Sequence, residues 1–236
     1  QVQVIQTPAK PVEIPACVEQ IARLEILSLT QEDQQKTQLY VQENQRKNLQ
    51  KELEAGGNDI RQYLASLKME MNISIDSTDN ISRLAQLTQK TNQFNLTTRR
   101  YSEQQLRHFI ESKQWTVASF SLSDTFGYSG IVGLALFRHL NSSETEIDSF
   151  LMSCRVIGRQ AETAFLIFML NYLAANKVSS VAADYLQTHK NKLVSNFYDN
   201  HDFLLEKNGR YKKDLSGFQL DKDLFPPTKV THETEK

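Results

Sequence analysis

The sequence is short of cysteine, tryptophan, glycine and proline, and each shortage removes a class of protein. Two cysteines in 236 residues, Cys17 and Cys154, make no disulfide framework and lack the paired spacing of a zinc site. Five prolines and eight glycines exclude collagen-like and low-complexity architectures. The longest apolar run, Ala164 to Leu170, with Glu162 and Asn171 nearby, falls far below the roughly 20 residues of a bilayer span. An excess of one charge is also missing. Lys and Arg total 27 against 28 Asp and Glu, a net charge of −1, and the basic pairs, such as Arg99-Arg100, are scattered. Nothing here would draw the chain to nucleic acid or a membrane surface. The five histidines show no metal-ligand spacing. No signal-peptide pattern opens the chain, so a reduced, soluble, cytoplasmic protein is expected. It starts at Gln1 and not at a methionine, and a fragment is therefore expected too.

What is present falls into three parts. Residues 1–68 read as a helical extension: a proline-marked connector over 2–14, helical spacing over 17–27, and a Gln-, Lys- and Glu-rich helix from Thr30 to Ala55. That helix has few apolar anchors and reads as a solvated connector ended by Gly56-Gly57. A short amphipathic helix over 59–68 follows. Residues 69–225 then alternate between strand and helix patterns. Strands are expected over 69–75, 116–122, 131–139, 146–156 and 178–186, and helices over 80–91, 102–113, 162–175 and 192–200. Ser102 and Gln105 form a capping box. The 162–175 segment is apolar on nearly every face, which means burial against a sheet. A final hairpin around Asn208-Gly209 is expected, and residues 226–236 read as a disordered tail.

The candidate chemistry clusters in a few places. Ser153-Cys154-Arg155-Val156-Ile157-Gly158-Arg159-Gln160 turns from a strand into the apolar helix. A helix start offers free backbone N–H groups and a favourable dipole to a phosphate, and Arg155 and Arg159 can clamp it. The plain alternative is a salt-bridged arginine and a glycine needed only for the turn. Asn92, Gln93, Asn95, Thr97 and Thr98 can bind amides or hydroxyls of a ligand, or cap the flanking helices. Asp124, in the turn Asp124-Thr125-Phe126-Gly127, is a candidate general base or an ordinary turn initiator. Tyr198 is a candidate general acid toward a thiolate or an anchor for its segment. Cys154, alternating with Phe150 and Met152, reads as a core residue more than a nucleophile.

Arg155-Val156-Ile157-Gly158-Arg159-Gln160, with Asn191 and Phe197-Tyr198 later, resembles the GNAT acyltransferase pattern. A narrower block is carried by Leu84-Ala85-Gln86-Leu87-Thr88-Gln89-Lys90-Thr91-Asn92-Gln93-Phe94-Asn95-Leu96-Thr97-Thr98-Arg99-Arg100-Tyr101. With Asp124-x-Phe126-Gly127-x-x-Gly130, Ser153 to Arg159, and Thr188-x-Lys190-Asn191, it resembles FkbH-like proteins. The resemblance implies an α/β, GNAT-like acyltransferase fold, a mixed central sheet flanked by helices, behind the end of a haloacid-dehalogenase-like domain. It implies loading of a glyceryl unit from phosphorylated glycerate onto the phosphopantetheine thiol of an acyl carrier protein, for polyketide biosynthesis. Tyr198 and Asp124 would be catalytic. Arg155, Val156, Gly158, Arg159 and Asn191 would hold the phosphopantetheine, and Asn92, Gln93, Asn95 and Thr97 the substrate. No cofactor of its own is implied; the phosphopantetheine sits on the carrier, and magnesium belongs to the preceding domain. The partners would be the carrier protein and a small phosphorylated acyl substrate. Tyr128, Gln160 and Asp202 depart from the family pattern, Tyr128 at an acidic position and the other two at glycine positions. An acyl-CoA-dependent N- or O-acyltransferase and a non-catalytic carrier-protein docking module are the alternatives.

Overall fold

The computed structural model describes residues 31–218 and 226–234, with side chains from residue 38 onward. The readings for 2–14, 17–27 and Cys17, and the last residues of the hairpin region, lie outside the described residues. Two compact units divide the chain, 1–42 and 43–236. Of the first, only residues 31–42 are described, the leading turns of helix α1 (Gln31–Ala55). Everything else described belongs to the second.

Short-range signals set the first elements. Good helix formers carry α1 to Gly56-Gly57, where Gly57 takes φ +79°. From residue 43 onward α1 is no solvated connector. Arg46 is 3% exposed, and Leu49 and Leu53 pack on the core. Helix α2 (Ile60–Leu67) opens with a capping box between Asp59 and Gln62 and buries Tyr63, Leu64 and Leu67. Strand β1 (Met69–Ile75) alternates as expected, with Met69, Met71, Ile73 and Ile75 buried. Helices α3 (Ile81–Lys90) and α4 (Glu103–Glu111) follow, the latter with the anticipated Ser102–Gln105 capping box.

The antiparallel meander β2 (Trp115–Asp124), β3 (Gly127–His139) and β4 (Glu144–Met152) makes the sheet centre. A 3₁₀ turn at Cys154–Val156 leads to helix α5 (Ala161–Ala175) and to strand β5 (Ser180–Ala183), parallel to β4. Strands β6 (Leu204–Leu205) and β7 (Tyr211–Asp214) form the hairpin. Strand β8 (Thr228–Thr234) runs parallel to β1. The eight strands lie in the order β6-β7-β5-β4-β3-β2-β1-β8. The α/β class expected from the sequence, a mixed sheet flanked by helices with a helix ahead of it, is therefore the observed one. One sheet face meets α5, whose residues from Ala161 to Leu173 are mostly buried; the other packs under α3 and α4.

Three readings change. The segment 228–234, expected as disordered tail, is the edge strand β8. Its polar side chains after Thr228 stay exposed while its backbone pairs with the edge of β1. Residues 192–200, expected as one helix, are 3₁₀ turns at Lys192–Val194 and Asp199–His201, because Ser and Asn side chains compete with helical backbone bonds. Strand β4 stops at Met152, so Cys154 leaves the strand alternation and is exposed, not buried in the core.

Candidate functional site

Beyond Ile147 and Ala183, strands β4 and β5 are no longer paired to each other. The wedge between them is filled by residues 94–96. Leu96 N donates to Phe150 O at 3.1 Å, Met152 N donates to Phe94 O at 2.9 Å, and Leu186 N donates to Leu96 O at 2.8 Å. Asn191 fastens this inserted segment. It is fully buried. Its Nδ2 donates to Asn95 O at 2.9 Å and Leu186 O at 3.0 Å, while its Oδ1 accepts from Thr188 N and Oγ1. Buried Asn95 accepts from Thr98 N at 2.8 Å and donates to Thr91 O, and buried Thr97 donates to Asp148 O at 3.0 Å. Asn92 accepts from Arg100 at 2.6 Å; Gln93 is exposed. Asn95 and Thr97 of the expected polar run are thus one structure with Asn191, turned inward on backbone groups.

The turn into α5 is built around Asp124, whose carboxylate is fully buried. It accepts Arg46 Nε at 2.7 Å and Nη2 at 2.9 Å, Arg159 Nη1 at 3.1 Å, and the amides of Phe126 and Gly127 at 2.9 and 3.2 Å. Arg159 also donates to Arg155 O at 2.9 Å and Glu43 Oε2 at 3.4 Å. Its burial works against its charge, and Asp124 and Glu43 support it. Asp124 and Arg159 are brought together as each other's partners. Arg155 is half-buried and donates from Nε to Ser153 Oγ at 3.3 Å; Val156 is in the core. Gly158 takes φ +87° with open space beside its Cα.

Tyr198 lies at 1% exposure, against Phe197, Phe203 and Tyr211 with ring centroids 5.0–5.5 Å away. Its hydroxyl has no hydrogen-bond partner. Burial, with Asp184 nearby, pushes the phenol well above its ordinary range.

A cavity of about 930 Å³ opens beside the first turns of α5, between that helix and the 3₁₀ turns of 192–201. Its apolar wall includes Phe94, Ile167, Leu170 and Phe197, and its polar wall includes Glu162, Thr163, His201 and Lys213. His201 Nδ1 lies 2.7 Å from Phe197 O, which can only accept, so Nδ1 carries the proton. Nε2 then accepts from Thr163 Oγ1 at 3.1 Å. Burial holds the imidazole below its ordinary pKa, and Lys213 adds to this. Lys213 Nζ donates to His201 O at 2.7 Å and lies 5.7 and 5.9 Å from the ring centres of Phe203 and Phe218. Glu162 Oε2 is buried without a hydrogen-bond partner, and burial pushes its carboxyl up. None of these four polar residues was picked out from the sequence. The only signal was Glu162 two places after Gln160 at the start of the apolar helix. Of the residues expected to hold a phosphopantetheine, none lines this cavity.

Among the described residues, no group of three or more His, Cys, Asp or Glu is placed to hold a metal ion, and no helix is long and apolar enough to cross a membrane. No family model matches the chain and no curated protein matches it in sequence. Among solved structures it is similar to the GNAT domain of S. lividans PAT, at 14% identity over 61% of this chain and 89% of that one, TM-score 0.46. It is similar to a domain from Methanocaldococcus jannaschii, at 12% identity over 62% and 99%, TM-score 0.48. It is also similar to a variant of the spermidine N-acetyltransferase SpeG from Vibrio cholerae, at 13% identity over 62% and 95%, TM-score 0.46. These are likenesses of fold.

Proposed function

We propose that this chain is a GNAT-like acyl-transfer module of the FkbH-like kind. In this reading it holds the phosphopantetheine arm of an acyl carrier protein while a glyceryl unit, derived from phosphorylated glycerate, is loaded onto the arm's thiol. The observation that carries the reading is the cavity of about 930 Å³ beside the start of α5, within the size range of small-molecule sites. A pantetheine arm is elongated, with methyl-bearing and amide-bearing stretches, and a wall that mixes Phe94, Phe197 and Leu170 with Thr163 and His201 suits both. The FkbH-like sequence blocks support the same assignment.

The module's work would be positioning, which by itself can supply a large share of the rate of such a transfer. Asp124 and Arg159 would brace the turn into α5 from inside. Asn95, Thr97 and Asn191 would brace the β4–β5 wedge, and Asn92 would brace Arg100. The arm's contacts would come from the cavity wall.

The test is to combine the chain with a haloacid-dehalogenase-like domain of such a protein, phosphorylated glycerate and a pantetheinylated carrier, and to weigh the intact carrier. A glyceryl mass increase that requires this chain is the expected result. No increase, with acetyl-CoA turned over on an amine or alcohol instead, would replace this reading by a free-standing acyltransferase.

A second reading is favoured by one observation: the side chains of Asp124, Arg159, Asn95, Thr97 and Asn191 are all engaged by protein groups. That pattern suits a docking module with no chemistry of its own. Loading that needs the chain only to bring the carrier close, and survives fusion of carrier and partner domain without it, would support that reading.

A further inference from the structure

We infer that Glu162 closes the start of α5 to phosphate and makes the adjoining cavity selective for a neutral ligand segment bearing N–H or O–H donors. The inference takes the ligand's identity from the arm-binding reading and nothing else from it. The first N–H groups of a 15-residue helix, with the dipole behind them, ordinarily make an anion site. Here the second residue of the helix is Glu162, so a carboxyl of the protein's own stands at that place. Residue 160, which precedes the helix, is a glutamine in the left-handed region at φ +54°, so a side chain projects where glycine would leave the backbone open. Of the two arginines expected to meet a phosphate, Arg159 is bound instead by Asp124 and Glu43.

The hydrogen-bonding pattern of the wall gives the ligand class. Thr163 Oγ1, His201 Nδ1 and Lys213 Nζ each have a partner within the protein: His201 Nε2, Phe197 O and His201 O. The buried polar side-chain atom of this wall left without a partner is a carboxyl oxygen, Glu162 Oε2. Leaving such a buried atom unpaired is costly, and a ligand amide N–H or hydroxyl removes that cost. An anion at the helix start would instead meet this carboxyl. The neutral amide and hydroxyl stretch of a pantetheine arm fits this wall; its phosphate end does not belong at the helix start.

The test is calorimetric titration of the chain with pantetheine, coenzyme A and inorganic pyrophosphate, repeated on Glu162→Gln, with circular dichroism to verify folding and Glu162→Ser as a second variant. The native chain should bind pantetheine at least as tightly as coenzyme A and give no pyrophosphate signal. Glu162→Gln should shift the preference toward coenzyme A by about tenfold or more and gain pyrophosphate binding. Pantetheine bound by neither protein, with pyrophosphate gained by the variant, would overturn the arm-binding reading and leave the role of Glu162 standing. Native binding of pyrophosphate would overturn the inference, as would a folded Glu162 variant in which neither coenzyme A nor pyrophosphate gains.

Discussion

Glu162, Gln160 and Tyr198 each stand in the structure under a local penalty. Gln160 occupies the left-handed region at φ +54°, where an L side chain costs about 1 to 2 kcal/mol. Glycine there forfeits about 0.5 to 1 kcal/mol of that through its freedom in the unfolded chain. Gln160→Gly should therefore raise stability by about 0.5 to 1 kcal/mol in urea denaturation; a loss would mean that the glutamine side chain makes a bond the backbone needs. Asp202, also at a glycine position of the FkbH-like pattern, takes φ +57°. Both positions at which the FkbH-like pattern has glycine are thus left-handed here and carry a side chain. Tyr198 carries a buried hydroxyl with no partner. Tyr198→Phe keeps the ring among Phe197, Phe203 and Tyr211 and removes that hydroxyl, so stability should hold or rise by up to about 1 kcal/mol, and the glyceryl loading proposed above should be unchanged. A drop in loading of tenfold or more in a stable variant would make the hydroxyl a proton donor after all.

At the level of elements, Asp124 ties three pieces together: α1 through Arg46, its own β2–β3 turn through two amides, and the turn into α5 through Arg159. Asp124→Asn leaves two buried guanidinium groups short of a counter-charge and should cost about 3 to 5 kcal/mol, the usual size for breaking one side of a buried ion pair. Chemical denaturation measures it directly. A cost under about 1 kcal/mol would show that Glu43 alone neutralises both arginines. Local elements were legible in the sequence because their signals are local. The Ser102–Gln105 capping box, the alternation over 69–75 and the all-round apolar face of α5 each appear where expected. The filled wedge was not legible, because nothing in Asn92 to Thr98 announces that Leu96 and Phe94 will pair with a strand more than fifty residues later. The tail strand was missed for a similar reason, since its side chains are polar and only the open edge of β1 selects it. Asp124 and Arg159 were singled out for their chemistry; that they lie within 3.1 Å of each other is a property of the fold alone.

For the whole molecule, His201 and Glu162 pull the pH dependence of stability in opposite directions. His201 is held below its ordinary 6.5 by burial and Lys213. The unfolded chain then binds more protons than the folded one, and stability is lost as pH drops below about 6.5. Glu162 is pushed above its ordinary 4.5 by burial. Its folded form holds the proton longer, so its contribution is full below about 4.5 and is lost as pH rises through the folded value. In Glu162→Gln, where only the His201 contribution remains, urea midpoints should fall as pH drops below about 6.5, and that variant should be the more stable protein at neutral pH. Equal neutral-pH midpoints would mean that the carboxyl is solvated in the folded state. The cavity beside α5 as the seat of a carrier-borne arm is tested most directly by amide chemical-shift mapping of this chain with a carrier protein, with and without its phosphopantetheine. Shifts at Thr163, Phe197 and His201 that appear only with the pantetheinylated carrier are the predicted result. Identical shifts with both forms, confined to residues away from that cavity, would contradict it.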